Sequence, residues 1–215
     1  VEVFPEEVAL QYGFAAEERV VNFVLKPNFR QLAIDPEYGV YTQGGRSRFE
    51  LDNNFLSIGE KTRLNLNATY ETESLLTEAE RDLVPVSGVA ADTVARSLLP
   101  AFDRYIADMS LQYSLDKITA LTFTGRFEQT DSLSLLGPGA GGIADPLERD
   151  SRNRQMSLGS SANGMIGKWR WVLSGTYRDA DQRIFTDRLA GSADRFDSSQ
   201  QFFASNATLS GTVTE

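Results

Sequence analysis

The chain has 215 residues and a net charge of −9, with 30 acidic against 21 basic side chains. This balance disfavours a nucleic-acid partner, which would select a basic surface. The sequence contains no Cys and no His, which excludes disulfides, thiolate metal sites, Ser-His-Asp triads and His-ligated zinc. An enzyme would have to use carboxylates, Lys, Tyr or a Ser-Lys pair, and we expect no catalytic residues, no metal and no cofactor.

The first 28 residues differ from the rest of the chain. Residues 5–10 predict a short helix, because Pro5 suits a first-turn position and two Glu follow it near the N-terminus. Tyr12 and Gly13 end this helix, and residues 20–26 form a continuous apolar run that is typical of a strand buried on both faces. No apolar run approaches the roughly 18 residues of a transmembrane helix, which leaves a β-barrel open because its strands are apolar only at every second residue. No signal peptide is visible, so we interpret the chain as a mature product or an excised piece.

From Phe29 onward the sequence predicts eight strands in which apolar and polar residues alternate. Such alternation is typical of a strand with one apolar and one polar face. The apolar positions, strand by strand, are Leu32, Ile34, Tyr38 and Val40; Phe49, Leu51 and Phe55; Leu64, Leu66, Ala68 and Tyr70; Tyr105, Ala107, Met109, Leu111 and Tyr113; Leu121, Phe123 and Phe127; Met156, Leu158, Ala162 and Ile166; Trp169, Trp171, Leu173 and Tyr177; Phe203, Ala207, Leu209 and Val213.

The hairpin over residues 154–178 has strands of about 10–14 residues, longer than the usual 5–6. Its apolar face ends in Trp169 and Trp171 beside a tight turn at Gly167. A long strand pair with an aromatic end suggests a lipid-facing hairpin, with Trp at the membrane interface. The alternative is a half-buried hairpin of a soluble sandwich.

The predicted connections sort by length. Short turns fall at Gly59, Asp116 and Gly167, whereas segments 73–101, 131–152 and 180–198 are predicted as long loops, and residues 78–83 within the first as a short helix with Thr77 as N-cap. The short turn at Gly44 is the exception on the long-loop side. Short turns at one end of a meander and long loops at the other are typical of outer-membrane barrels, and loops this long are unusual in compact soluble domains.

The polar faces hold the candidate ligand-contacting residues. If the sheet lines a lumen, these candidates are Arg63, Asn65, Asn67, Arg104, Asp108, Gln112, Arg126, Arg170 and Arg178. The alternative for each Arg is an ion pair with Glu50, Asp52, Glu71, Asp108 or Glu128 along the same wall. Two weaker motifs favour plain loops: residues 137–142 lack the Lys-Ser/Thr of a phosphate cradle, and the acids Asp145, Glu148, Asp150, Asp179 and Asp181 lack the EF-hand spacing for Ca²⁺.

The N-terminal segment resembles the exit of the plug domain in TonB-dependent outer-membrane receptors. The residues that carry the resemblance are Leu10, Tyr12, Gly13, Val20, Asn22 and Lys26 in the string VEVFPEEVALQYGFAAEERVVNFVLK. Phe4-Pro5 and residues 15–18 depart from the commonest form, which has Gly-Pro and a Gly-rich stretch there. The resemblance implies residues 1–28 as the end of a plug, residues 29–215 as barrel strands, and a location in the bacterial outer membrane with lipid, the rest of the barrel and plug, and a TonB-type energising protein as partners.

The predicted fold is therefore all-β, an antiparallel up-and-down meander of about eight long strands preceded by a plug remnant. Eight strands would leave no room inside a closed barrel for a plug, which favours a fragment of a larger plugged barrel of about 22 strands. The resemblance implies active uptake of a scarce, bulky nutrient such as a siderophore, vitamin, saccharide or peptide. The alternatives are a small self-contained outer-membrane barrel with a structural or adhesion role, and a soluble β-rich binding module.

Overall fold

The computed structural model describes residues 2–3, 21–22, 28–83, 93–189 and 193–211. These residues form an all-β fold with no α-helix, only two 3₁₀ turns at Glu78–Glu80 and Thr93–Ala95. In this part of the chain there is no helix of the length and apolar character needed to cross a membrane. The strands are β1 (Glu2–Val3), β2 (Val21–Asn22), β3 (Phe29–Val40), β4 (Ser47–Ile58), β5 (Thr62–Glu73), β6 (Leu76–Thr77), β7 (Ser97–Leu99), β8 (Ala101–Ser114), β9 (Ala120–Gly139), β10 (Gly142–Ile166), β11 (Trp169–Asp187) and β12 (Ala193–Ser210).

Eight long strands form one sheet in the order β12-β11-β10-β9-β8-β5-β4-β3. Every neighbouring pair is antiparallel, so the predicted meander of eight long strands is confirmed. The turns after β4, β8 and β10 lie at one end of the sheet, called here the short-turn end. The connections after β3, β5, β9 and β11 lie at the other, called the link end. Strands β3 and β12 are the two edges.

The N-terminal segment contributes a separate two-stranded sheet in which Glu2 pairs with Asn22 and Val3 with Val21. The apolar run predicted as a strand thus contains β2. The helix predicted over residues 5–10, and Leu10, Tyr12, Gly13, Val20 and Lys26 of the plug-like motif, lie outside the described residues, as does Val213 at the other end of the chain.

Two of the three predicted long loops are wrong. Segment 131–152 is almost entirely strand, because β9 runs to Gly139 and β10 begins at Gly142. Segment 180–198 likewise belongs to β11 as far as Asp187 and to β12 from Ala193. Both segments are rich in Gly, Pro, Ser and Asp, which is typical of turns. The strands accommodate these residues through register irregularities near Pro146 and through Arg–Asp pairs between neighbouring strands. The β9–β10 and β11–β12 hairpins therefore continue as paired strands where loops were predicted.

Segment 73–101 is a folded link. Strands β6 and β7 pair within it, and the buried side chains of the described residues, Leu76, Ala95 and Arg46, gather at its base. The Thr77 cap is confirmed, because Glu80 Oε2 accepts hydrogen bonds from the Thr77 amide at 2.8 Å and hydroxyl at 3.0 Å. The helix itself is shorter than predicted: the 3₁₀ turn ends at Glu80, and Arg81 is already extended.

Candidate functional site: two faces of one sheet

The register assigns each side chain to one of two faces. Residues directly paired across antiparallel strands lie on the same face, so a row can be followed from strand to strand. One such row runs through Leu32, Phe55, Leu66, Met109, Gly125, Leu158, Tyr177 and Phe203. This row defines the apolar face, and the opposite side of the sheet is the polar face.

The apolar face carries a continuous band of large apolar side chains that the described residues leave uncovered. Phe203 is 71% exposed, Ile166 69% and Leu32 63%. In β8, Tyr105, Ala107, Met109 and Tyr113 of the apolar face are exposed, whereas Arg104, Ile106 and Asp108 of the polar face are partly buried. This is the reverse of a soluble sheet, and soluble proteins rarely expose apolar patches beyond a few hundred Å².

The apolar band crosses the strands at a slant. At the link end its last apolar residue is Val40 in β3 and Phe203 in β12, yet Phe203 shares its row with Leu32, eight residues before Val40. At the short-turn end the limit moves from Leu32 to Leu209, six residues beyond that row. With about 3.3 Å per residue and about 4.8 Å between strands, these shifts over seven strand steps tilt the strands by about 30–40° from the normal to the band.

Aromatic side chains mark both limits of the band. At the short-turn end Trp169 and Trp171 each cover a glycine of the neighbouring strand: a Cβ on Gly164 would lie 2.7 Å from Trp171, and one on Gly211 would lie 2.7 Å from Trp169. At the link end the rings of Tyr70 and Tyr105 stack with centroids 5.0 Å apart. Along β11 the band from Trp169 to Tyr177 is about 26 Å long, or about 22 Å after the tilt.

The nine predicted ligand-contacting residues all lie on the polar face. The register brings four of them, Asn67, Asp108, Arg126 and Arg178, into one row across β5, β8, β9 and β11. Arg63 pairs with Gln112 across β5 and β8, and Asn65 lies one row from them. Arg104 lies two rows toward the link end, and Arg170 stands apart near the short-turn end of β11. The structure thus gathers most of the set but separates Arg170.

Ion pairs connect part of the polar face. Arg104 Nη2 lies 2.6 Å from Glu128 Oε1 and its Nη1 lies 3.9 Å from Glu71 Oε2. Arg126 bridges Asp108 at 3.1 Å and Glu128 at 3.0 Å. These two Arg follow the internal-pairing alternative, whereas Arg63, Arg170 and Arg178 have no ion pair in the part of the chain that the structure describes.

The weaker motifs do not converge into sites. Residues 137–142 form the tip of the β9–β10 hairpin, where Gly142 adopts a φ of +78°. Asp181 pairs with Arg154, and the hydrogen bonds from Arg154 and Ser199 hold the pKa of Asp181 below its usual range. Among the described residues no group of three acids is placed to hold a metal ion.

Sequence reasoning missed the buried pair that anchors the link of residues 74–100. Arg46 has a side chain only 4% exposed; its Nη2 lies 2.5 Å from Glu73 Oε2 and donates to the Pro100 carbonyl at 3.2 Å. Its guanidinium also lies over the Tyr41 ring, 5.8 Å from the centroid. In the sequence Arg46 directly follows the turn glycines Gly44 and Gly45, and an Arg in such a turn is expected to be exposed.

A scan of protein-family models matches no family, and a search of curated proteins finds no significant match.

Proposed function

We propose that this chain forms part of the wall of an outer-membrane β-barrel of the TonB-dependent receptor class. The observation that carries the membrane assignment is the slanted, uncovered apolar band. Outer-membrane barrels have strands tilted by about 35–45° and an outward apolar band about 25 Å tall between aromatic girdles. The slant of about 30–40° and the height of about 22 Å agree with both values.

The charge distribution supports the same assignment. The apolar face points to lipid in this proposal, and the polar face, with its Arg–Glu and Arg–Asp pairs, lines the interior. Trp169 and Trp171 lie beside the two-residue turn after β10; in this proposal they belong to the periplasmic interface, since short turns of such barrels are periplasmic. The link end is then extracellular.

Transport is the finer part of the proposal, and the plug-like motif of residues 1–28 supports it. In this scheme a scarce nutrient binds at the extracellular end and moves along the polar wall when the energising inner-membrane protein remodels the plug. Arg178, which forms no ion pair with any described residue, and the amides of Asn65 and Asn67 are the wall groups best suited to contact such a ligand. No covalent chemistry is involved.

Adjacent residues on opposite faces test the membrane assignment. The chain has no Cys, so single Cys variants carry a spin label without background. In liposomes, a label at Leu158→Cys should be relaxed by oxygen, which concentrates in lipid, and one at Ser157→Cys by a water-soluble nickel complex. Equal water access at both sites, or a folded monomer in buffer without detergent, contradicts the assignment.

The genomic sequence on either side of this segment tests the transport assignment. We expect further alternating hairpins downstream, and upstream the start of a plug with a motif that contacts the energising protein. A reading frame that supplies neither contradicts a TonB-dependent receptor and favours a small barrel, even if the spin-label result places the sheet in lipid.

A further inference from the structure

Two arginines stand side by side just beyond the apolar band. Arg152 of β10 and Arg183 of β11 are direct cross-strand partners on the apolar face, on the link-end side of the Tyr70–Tyr105 stack. Like charges directly opposite each other destabilise a sheet unless counter-charges are near. Here Asp131 pairs with Arg152 from β9, and Asp197 pairs with Arg183 from β12.

Each carboxylate lies nearest Nε of its arginine, and Asp197 also accepts a hydrogen bond from Arg195. Asp131 engages Nε of Arg152, and Asp197 Oδ1 lies 3.6 Å from Nε of Arg183. The distal nitrogens of both groups have no hydrogen-bond partner among the described residues, and the two side chains are 59% and 64% exposed. The hydrogen bond at Nε fixes the guanidinium of Arg152, and its two distal nitrogens present a fork of donors that matches the geometry of a phosphate; Arg183 adds a second positive charge beside it.

The arginine pair opens onto a cavity of about 650 Å³ on this face. Its lining includes Asp103, Asp131, Asp150, Arg152, Arg183 and Phe185. Asp103 accepts a hydrogen bond from the Tyr70 hydroxyl at 2.8 Å, so its carboxylate is partly satisfied. Asp103 and Asp150 can accept further bonds from hydroxyl groups of a ligand whose phosphate lies at the arginines.

An apolar groove of about 410 Å³ lies in the band on the short-turn side of the tyrosines. It forms where small residues, Ala68, Ala107 and Gly125, lie between Leu66, Met109 and Leu158. The polar cavity lies on the link-end side of the Tyr70–Tyr105 stack, and the apolar groove lies on the short-turn side. This arrangement suits a lipid, with the headgroup in the polar cavity and an acyl chain in the apolar groove.

We propose that Arg152 and Arg183 bind the phosphate of a lipid headgroup at the extracellular margin of the membrane. This inference depends on the proposed membrane assignment, since it takes the apolar face to be the lipid-facing one. The occupant is a lipid and not a free anion because the arginine pair and the apolar groove lie on the same face of the sheet, on either side of the Tyr70–Tyr105 stack. The ligand class is a phosphodiester lipid with hydroxyl groups in its headgroup.

Native mass spectrometry of the full chain in detergent tests the site, with dioleoylphosphatidylglycerol as probe. Dioleoylglycerol has the same acyl chains without the phosphate, and inorganic phosphate lacks the chains. We expect retention of phosphatidylglycerol only, and a loss of about tenfold or more in Arg152→Gln/Arg183→Gln, the scale at which two charge-assisted bonds act. Arg149→Gln, three residues before Arg152 in β10 and on the polar face, removes the same kind of charge and should retain the lipid.

Three outcomes would overturn the lipid site. Equal retention by the double variant and by Arg149→Gln shows that the arginines do not bind the headgroup. Equal retention of dioleoylglycerol shows binding by the groove alone. Competition by millimolar inorganic phosphate without any contribution from the acyl chains shows an anion site. A double variant that loses β-structure by circular dichroism is replaced by Arg152→Lys/Arg183→Lys, which keeps the charge, loses the fork and should show intermediate retention. Aliquots of the same protein transferred to buffer without detergent report detergent dependence, so failure of the membrane assignment is distinguishable from failure of this site.

Discussion

Leu32 of β3 and Phe203 of β12 lie in the same hydrogen-bonded row, yet they stand at opposite margins of the apolar band. Seven strand steps of about 4.8 Å separate them, and with strands tilted by about 30–40° this corresponds to a difference of about 20 Å across the height of the band. Leu32 belongs at the short-turn margin and Phe203 at the link-end margin. Under the proposed membrane assignment, the tilt of the strands makes this one row cross the whole thickness of the membrane.

Depth measurements along this row check the tilt. We expect the depth of a spin label in the membrane to change steadily along this row. The labels are introduced at Leu32→Cys, Leu66→Cys, Met109→Cys, Leu158→Cys and Phe203→Cys. The first and the last label should lie near opposite membrane surfaces, and the three between them should lie deeper in the lipid. The ratio of oxygen to nickel-complex relaxation reports the depth, and a nickel complex confined to the outside of the liposomes distinguishes the two surfaces. Equal depth at all five positions would contradict a tilted wall.

The buried ion pair between Arg46 and Glu73 should hold the link of residues 74–100 in place. Removing one partner of a buried pair leaves the other charge uncompensated, which costs about 3–5 kcal/mol. We therefore expect Arg46→Ala to release the link, with new protease cleavage in residues 74–100 and little change in the strands. Glu73→Gln should act in the same direction.

The exposed pair of Arg188 and Asp194 is the matched control. Their side chains are 61% and 56% exposed, and exposed pairs contribute about 0–1 kcal/mol. Arg188→Ala should leave the cleavage pattern of residues 74–100 unchanged. Equal protection of the link in Arg46→Ala and in the unmodified protein would show that the pair is incidental to its docking.

The turn after β8 should weaken at low pH. Asp116 Oδ1 accepts hydrogen bonds from the Ile118 and Thr119 amides, both at 2.7 Å, and these bonds hold the pKa of Asp116 below its usual range. Because the folded-state pKa is lowered, the stabilisation is fully present above the unfolded pKa near 3.9 and disappears as pH falls through the folded value. The amide proton shifts of Ile118 and Thr119 should titrate below about pH 4. In Asp116→Asn, which keeps an acceptor but does not ionise, they should stay constant.

The strands could be predicted from the sequence because the alternation of apolar and polar residues indicates which face each side chain occupies and roughly where each strand begins and ends. Alternation does not predict strands beyond the band. In residues 131–152 and 180–198 polar and apolar residues are mixed on both faces, so the sequence resembles a loop although the ladder continues. The Arg152–Asp131 and Arg154–Asp181 pairs are cross-strand contacts, visible only once the register is known.

The polar-face set was predictable for the same reason, since each member occupies an alternate position in a long strand. Alternation does not specify which of these polar residues become neighbours across the strands. Asn67, Asp108, Arg126 and Arg178 come from four strands, and their common row follows from turn lengths and ladder offsets. The burial of Arg46 could not be predicted, because it depends on a link that returns to this residue from as far as Pro100, 54 residues further along the chain.

Glycines in the band should differ sharply in their tolerance of a methyl group. A Cβ at Gly164 would lie 2.7 Å from the Trp171 indole, so Gly164→Ala must displace the ring, whereas a Cβ at Gly125 would meet Leu158 at 3.5 Å, an ordinary contact. Overpacking of this kind costs about 1–3 kcal/mol. We expect Gly164→Ala to shift tryptophan fluorescence toward the red as the ring moves to the aqueous side of the interface, and to lower the urea midpoint of unfolding in liposomes. Gly125→Ala, on the same face and in the middle of the band, should leave both unchanged. Identical spectra and midpoints in the two variants would show that Trp171 does not pack over Gly164, and would remove the basis for placing this tryptophan in a fixed girdle.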